Sequence, residues 1–356
     1  MRLEVTRTSL PPFEEFCQEI RELWDSHFVT NMGPKHAEFQ AALEKMFGCK
    51  VTLFVNGHSA LEAALAAMDL PAGSEVITTP FTFVSTTHAI VRRGLVPVFC
   101  DVKPEDGTMD PDCLERLISP RSSAILPVHV YGNPCDVERI GEIASRHSLK
   151  LVYDAAHAFG AMLGDVPLVR FGDASILSFH ATKIFSTVEG GAVCYRDAVL
   201  SARLNDEKNF GIRDKEHCAA AGGNFKMNEL QAAMGLCNLR HFPEAVEQRL
   251  SISRLYRELL ADSSKLRPFP ASPSYFPVLF ESPAARDAAY EALETRGFGA
   301  RKYFWPLTSQ ADCYRGRLDP GDTPIAADLS SRILCLPLFP DLQEDAVRTI
   351  CSIISL

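Results

Sequence analysis

The sequence predicts an α/β protein in which a mostly parallel sheet, covered by helices, forms a large domain and a smaller α+β domain follows at the C-terminal end. Three observations carry this expectation. Short apolar runs without strict alternation recur from about Phe39 to Arg196, as strands buried on both faces require. Stretches with helical spacing separate them, which is the arrangement of parallel crossover units. A segment rich in proline and serine, KLRPFPASPSYFP, then interrupts the pattern, and that composition marks a boundary.

In chain order, AEFQAALEKMFG is helical and stops at Gly48, VTLFV is strand-like, and SALEAALAAMD returns to the helical period. EVITTP, VPVFCDV, SAILPVHVYG, LKLVYDAA and ASILSF are further strands, with DVERIGEIASRH among the helices between them. A long helical region covers NELQAAMGLCNLRHFPEAVEQRLSISRLYRELLA. Beyond the boundary, YFPVLFE, AARDAAYEALETRG and EDAVRTICSII supply a strand and two helices. The expected division is 1–242 for the large domain and 243–356 for the small one.

The 356 residues are 46% hydrophobic and 23% charged, which provides for a large core and argues against disorder. A formal charge of -9 disfavours nucleic acid or an anionic membrane as partner, so an anionic ligand needs a local site. The eleven cysteines stand singly, without a CxxC pair or zinc-type spacing, and are expected to be reduced packing residues with no metal to hold. No run is long and apolar enough to span a bilayer, and MRLEVTRTSLPPFEEF lacks the apolar core of a signal peptide. The expectation is a soluble, cytoplasmic protein.

Ligands of an open parallel sheet bind beyond the carboxyl ends of its strands, and four features fall there. Asn56, Gly57 and His58 lie between a strand and a helix expected to begin near Ser59; free N–H groups beside a glycine suit a phosphate, although most such turns only cap a helix. Asp154 directly follows a strand, with His157 three residues on. A carboxylate there needs a cation, unless it merely caps the turn. In LSFHATKIFSTVEGG, Ser178 ends a strand and Lys183 follows in a loop before Glu189, Gly190 and Gly191. A lysine beside a desolvated cleft becomes a nucleophile and base, whereas most lysines are solvated charges. Phe81 and Phe83 follow EVITTP and either pack in the core or cover a planar ring. Pyridoxal phosphate unites all four: it takes a lysine for its aldehyde, a carboxylate for its ring nitrogen, a phosphate cup and an aromatic cover.

The segments VTNMGP, NGHSAL, TPFTFVST, PVHVYG, YDAAHAFGA, SFHATK, EGGAV, GGNFKMNELQAAMG and CLPLFPDLQEDAV resemble, in order and over nearly the whole chain, the DegT/DnrJ/StrS sugar aminotransferases. The resemblance implies an aspartate-aminotransferase-like fold (fold type I) and a homodimer with active sites at the subunit interface. It implies that Lys183 bonds pyridoxal phosphate, Asp154 pairs with the ring nitrogen and His157 lies near the 3-hydroxyl. Gly57, His58 and Ser178 would hold the phosphate, Phe83 would stack on the ring, and Asn224 would reach the partner subunit's phosphate. Three positions depart from the family pattern: His58 stands where many members have Thr or Ser, His157 where many have Gln, and Thr308 follows RKYFWPL where most have a histidine.

In a dehydratase branch of the family the lysine is a histidine, so Lys183 favours the transaminase branch. The implied reaction is amination at C4 of a dTDP-4-keto-6-deoxy sugar with L-glutamate as donor, since SFHATK with VEGG looks more like the C4 than the C3 enzymes. The alternatives are C3 amination of a dTDP-3-keto-6-deoxy sugar, an amino-acid transaminase of the same fold, and a non-catalytic cofactor-binding regulator. His180 is a candidate substrate contact. Lys208, Arg213 and Lys215 in EKNFGIRDKEH would meet the nucleotide diphosphate, or else form a solvated charged loop.

Overall fold

Two helices, α1 (Phe13–Ser26) and α2 (Pro34–Phe47), lead into the first strand, β1 (Lys50–Phe54). The structure, a computed structural model, describes residues 2–355. There follow α3 (Gly57–Ala67), β2 (Glu75–Thr78), α4 (Val84–Arg92), β3 (Val96–Phe99), the single turn α5 (Pro111–Leu114), β4 (Ser122–Leu126), α6 (Val137–Arg146) and β5 (Lys150–Asp154). A small hairpin, β6 (Met162–Leu163) with β7 (Val166–Pro167), precedes β8 (Ala174–Ser178), β9 (Gly191–Tyr195) and α7 (Ala198–Lys208). The large sheet has seven strands in the order β1-β9-β8-β5-β4-β2-β3.

All neighbours are parallel except at β9, which runs antiparallel to both β1 and β8. The strand runs expected from the sequence for the large domain end with ASILSF and do not include β9. Successive residues of one strand enter different apolar clusters: Leu53 and Phe54, Val152 and Tyr153, Ile176 and Leu177 each divide between the two faces. That division is why these strands read as continuous apolar runs. Helices α2 and α6 cover one face with Phe39, Leu43, Ile140 and Ile143, while α3, α4 and α7 cover the other with Ala63, Ile90 and Leu204.

The helix α8 (Glu229–Leu259) is capped by Asn228 and Gln231 in a reciprocal box and continues through Pro243. At ~46 Å for its length, from about 1.5 Å per residue, it carries the chain out of the first lobe. The division expected after residue 242 therefore falls inside one helix. Beyond it, β10 (Leu266–Pro268), β11 (Phe276–Phe280) and β12 (Ile333–Leu336) form an antiparallel sheet, packed by α9 (Pro283–Thr295), α10 (Pro324–Arg332) and α11 (Glu344–Ile354). The N-terminal segment joins this lobe, with Leu3 bridged to Phe298 and the Val5 carbonyl accepting from Leu338 N–H at 3.1 Å. No helix among the described residues is long and apolar enough to cross a membrane. The cysteines are free thiols, most of them packed as expected, but Cys218 and Cys313 are exposed.

Two core histidines set an acid limit on stability. Burial lowers the His36 and His129 imidazoles from 6.5 to about 3, the charge of Lys208 adding to the effect at His36. Both stay neutral in the native state, so below the unfolded value the unfolded chain binds more protons and stability falls from about pH 6.5 toward pH 3. Each contributes a slope of up to about 1.4 kcal/mol per pH unit. The urea midpoint is expected to drop clearly between pH 7 and pH 5, and one that holds steady would contradict the burial of these rings.

Candidate active site

At the carboxyl edge of β1, β5 and β8, together with the start of α4 and a strip of the second lobe, the chain encloses a cavity of about 540 Å³. Asp154 is the last residue of β5 and is buried. Thr86 Oγ1 donates to its Oδ2 at 2.7 Å and the Ala156 N–H donates to its Oδ1 at 3.1 Å. Desolvation nevertheless pushes this carboxyl above its ordinary range, against those two hydrogen bonds and the nearby charges of Lys183 and His58. Among the described residues it makes no ion pair. A buried carboxylate without a cation is costly, so this wall of the cavity is built to receive a positive group.

Lys183 stands on the same cavity, its backbone N–H held by the His180 carbonyl at 2.9 Å in a turn after β8. Burial lowers its amine below the ordinary lysine value, opposed by the charges of Tyr303 and Asp154. The amine thus gains the uncharged fraction that a nucleophile or base requires. His157 accepts from the Tyr131 N–H at Nδ1 (3.2 Å) and stacks on Phe304, with 5.9 Å between ring centres and 4° between planes. Burial lowers its pKa well below the usual imidazole range, with Lys183 adding to the effect, so it is a neutral ring.

The other end of the cavity is built around the start of α3. That helix begins at Gly57, two residues earlier than the spacing suggests, because Asn56 is its cap and accepts from Ser59 N–H at 2.8 Å. Gly57, His58 and Ser178 all line the cavity. His58 Nδ1 shares a 2.8 Å hydrogen bond with Ser85 Oγ, and its Nε2 lies 3.3 Å from Glu62 Oε1. Phe83 caps α4 and is 54% exposed on the cavity wall, whereas Phe81 is wholly inside the core between the lobes. His180 lines the mouth, with Nδ1 bonded to Thr182 Oγ1 at 2.9 Å and Nε2 3.5 Å from Glu189.

A sequence profile of the DegT/DnrJ/EryC1/StrS aminotransferase family matches residues 13–355. The chain belongs to that family. A dTDP-4-amino-4,6-dideoxy-D-glucose transaminase of Shigella dysenteriae is 39% identical over 363 residues, spanning 98% of this chain and 97% of the relative. A protein of the same name from Escherichia coli is 39% identical over 365 residues, with coverage of 99% and 98%. Among solved structures, that of DesI in the presence of its TDP-sugar product superposes with a TM-score of 0.93 at 33% identity, covering 99% of this chain and 92% of that one.

Four candidate residues of this aminotransferase, Lys208, Arg213, Lys215 and Asn224, lie away from the cavity, Lys215 exposed on the surface. Lys208 is no part of a solvated loop: it ends α7, is 1% exposed, and burial lowers its amine to about 8, helped by the charge of Lys226. Arg213 is on the surface and paired with Asp206 at 2.7 Å. Asn224 is exposed and accepts from Lys226 Nζ at 2.7 Å. Conversely, Tyr275, Arg301, Tyr303 and Phe304 line the cavity from the second lobe without having been singled out as site residues for it. Nothing local in the sequence marks them, since their place depends on how the lobes pack.

The convergence at the sheet edge leaves no room for side chains. A Cβ on Gly191 would lie 2.6 Å from the Asn56 carbonyl carbon, and one on Gly57 would lie 2.8 Å from Ser178 Cβ. Gly191→Ala must push β1 and the start of α3 away from β9. Overpacking of this kind costs about 1–3 kcal/mol, so a lower urea midpoint is expected, and a wild-type midpoint contradicts the close approach.

Proposed function

We propose that this aminotransferase uses pyridoxal phosphate to convert a dTDP-4-keto-6-deoxy sugar into the dTDP-4-amino-4,6-dideoxy sugar, with L-glutamate as the amino donor. The observation that carries the reading is the presence, on one cavity, of a half-buried lysine whose desolvated amine has a lowered pKa and of a buried carboxylate that makes no ion pair among the described residues. The names of the two relatives at 39% identity support the sugar and the carbon.

When bound, pyridoxal phosphate supplies an aldehyde for the migrating nitrogen and a protonated ring that draws electrons from the neighbouring carbon. The remaining work falls to this chain. Lys183 Nζ would hold the aldehyde at rest, with loss of water, and once freed would carry the proton removed from the donor carbon and return one to the sugar carbon. Asp154, held by Thr86 and Ala156, would pair with the protonated ring nitrogen, whose charge favours the ionised carboxyl. The start of α3, with Gly57, His58 and the Ser178 hydroxyl, receives the phosphate. Phe83 and neutral His157, both on the cavity wall, would hold the ring, Phe83 by covering one face and His157 beside the 3-hydroxyl.

Arg301 lines the cavity, is exposed there, and makes no ion pair among the described residues. It faces the anionic end of a substrate, a carboxylate or the sugar diphosphate, and His180 lies at the same mouth. Loss of a charge-assisted contact costs about 1.5–3 kcal/mol. Arg301→Met is therefore expected to raise KM for L-glutamate or for the nucleotide sugar by about tenfold or more, and an unchanged KM for both places the guanidinium outside substrate reach. The protein works as a homodimer in this reading, with Asn224 and Arg213 serving the partner subunit's cavity, which accounts for their distance from their own.

The test is a panel of dTDP-4-keto and dTDP-3-keto sugars incubated with L-glutamate, followed by NMR of the aminated carbon. Nitrogen at C4 is expected. Nitrogen at C3, or transfer only to amino-acid acceptors, overturns the reading.

A further inference from the structure

Lys183 Nζ has a hydrogen-bond partner that no motif announced. It donates to Tyr275 Oη at 3.4 Å and lies 5.9 Å from the centre of that ring. Tyr275 comes from the second lobe, in the residue before β11, and is buried on the cavity wall. The distance is long, as such contacts commonly are before substrate arrives.

The segment that carries the phenol is tied down at each step. Ser272 Oγ donates to the Tyr131 carbonyl and Ser274 Oγ to the His157 carbonyl, each at 2.6 Å, while Ser274 N–H donates to Ser272 Oγ at 3.0 Å. From below, Arg249 of α8, wholly buried, donates through Nη1 to the carbonyls of Leu338 at 2.9 Å and Pro273 at 3.5 Å. The Tyr275 ring meets His157 edge-on at 4.9 Å and Tyr303 at 6.0 Å. Two serines spend their hydroxyls on the backbone beside His157, so the phenol is fixed relative to the residues that surround the ring site.

We propose that Tyr275 is the positioning residue for Lys183: its hydroxyl holds the lysine amine in the cavity whenever that amine is not bonded to the cofactor. Burial keeps the phenol protonated by pushing its pKa above the ordinary value. A neutral hydroxyl accepts from an ammonium and donates to an uncharged amine, so one partner serves both protonation states of Nζ. A lysine chain left loose has many rotamers to search, and fixing it removes that entropy before the bond is made. The inference rests on the pyridoxal phosphate reading.

The experiment uses protein freed of cofactor, wild type and Tyr275→Phe. Two quantities are measured: the second-order rate at which added pyridoxal phosphate gains the visible absorbance of its lysine-bound form, and the Kd of pyridoxamine phosphate, which needs no lysine to bind. Tyr275→Phe is expected to slow capture by about tenfold, the equivalent of one lost hydrogen bond, and to leave the pyridoxamine phosphate Kd within about twofold. Ser274→Ala, which frees the backbone from His157 but keeps the phenol, is expected to fall between. Capture at the wild-type rate in Tyr275→Phe overturns the proposal, and so does an equal loss in both measurements, which would mean that the ring only packs the wall. Failure of wild-type protein to bind either compound refutes the cofactor reading itself.

Discussion

Lys183→Ala is expected to lose transamination by about 10⁴-fold or more, about 5 kcal/mol or more of transition-state stabilisation. Lys183 is the lysine on the cavity wall, and Lys208, the other lysine with a clearly depressed pKa in the core, is buried elsewhere. Among the described residues no other lysine lines the cavity to take over. Lys183→Arg offers no rescue, because a guanidinium keeps its proton and neither attacks an aldehyde nor acts as a base. The fold should not suffer, since the substitution removes an amine whose burial already opposes its charge. The thermal midpoint is therefore expected to hold or to rise, while the visible absorbance that borohydride quenches in the wild-type complex disappears. A variant that retains a reducible chromophore assigns the bond to another lysine.

How much of this was legible in the sequence depended on whether the controlling contacts are local. The strand ends were, because each consists of an apolar run followed within a few residues by its polar residue: Asp154 after LVY, Ser178 after SIL, Asn56 and Gly57 after VTLFV. Tyr275 was not, since it lies 92 residues from Lys183 and owes its position to packing between lobes. The same holds for Arg301 and Phe304. β9 is legible as the apolar run GAVCY, fully buried, directly after the glycine pair. Lys208 was misplaced despite an available signal: Leu200, Leu204 and Lys208 recur every four residues on the buried face of α7. That helical period outweighs the polar composition of EKN and carries the Lys208 side chain into the interior.

Asp154→Asn separates the charge of the carboxylate from its shape. The amide oxygen can still accept from Thr86 Oγ1 or from the Ala156 N–H, so the turn after β5 and the cavity are expected to persist and the cofactor to bind. The negative charge opposite the ring nitrogen is gone, and with it the means of keeping that nitrogen protonated while electrons flow into the ring. A fall in kcat of about 10³-fold is expected, or about 4 kcal/mol. The pH dependence gives a second, independent reading. Burial raises the Asp154 pKa in the cofactor-free protein, and a ring cation favours the ionised form, so the pH profile of cofactor affinity in the wild type is expected to have an acid limb, binding weakening as this carboxyl takes up its proton. In Asp154→Asn there is no carboxyl to protonate, and that acid limb should flatten while the residual rate stays low. Near-normal turnover removes Asp154 from the chemistry. A low rate with the acid limb intact assigns the limb to a different group and leaves Asp154 with a role in shape alone. Stability supplies the control: removing a buried carboxyl that makes no ion pair among the described residues is expected to leave the urea midpoint of the cofactor-free protein unchanged or higher.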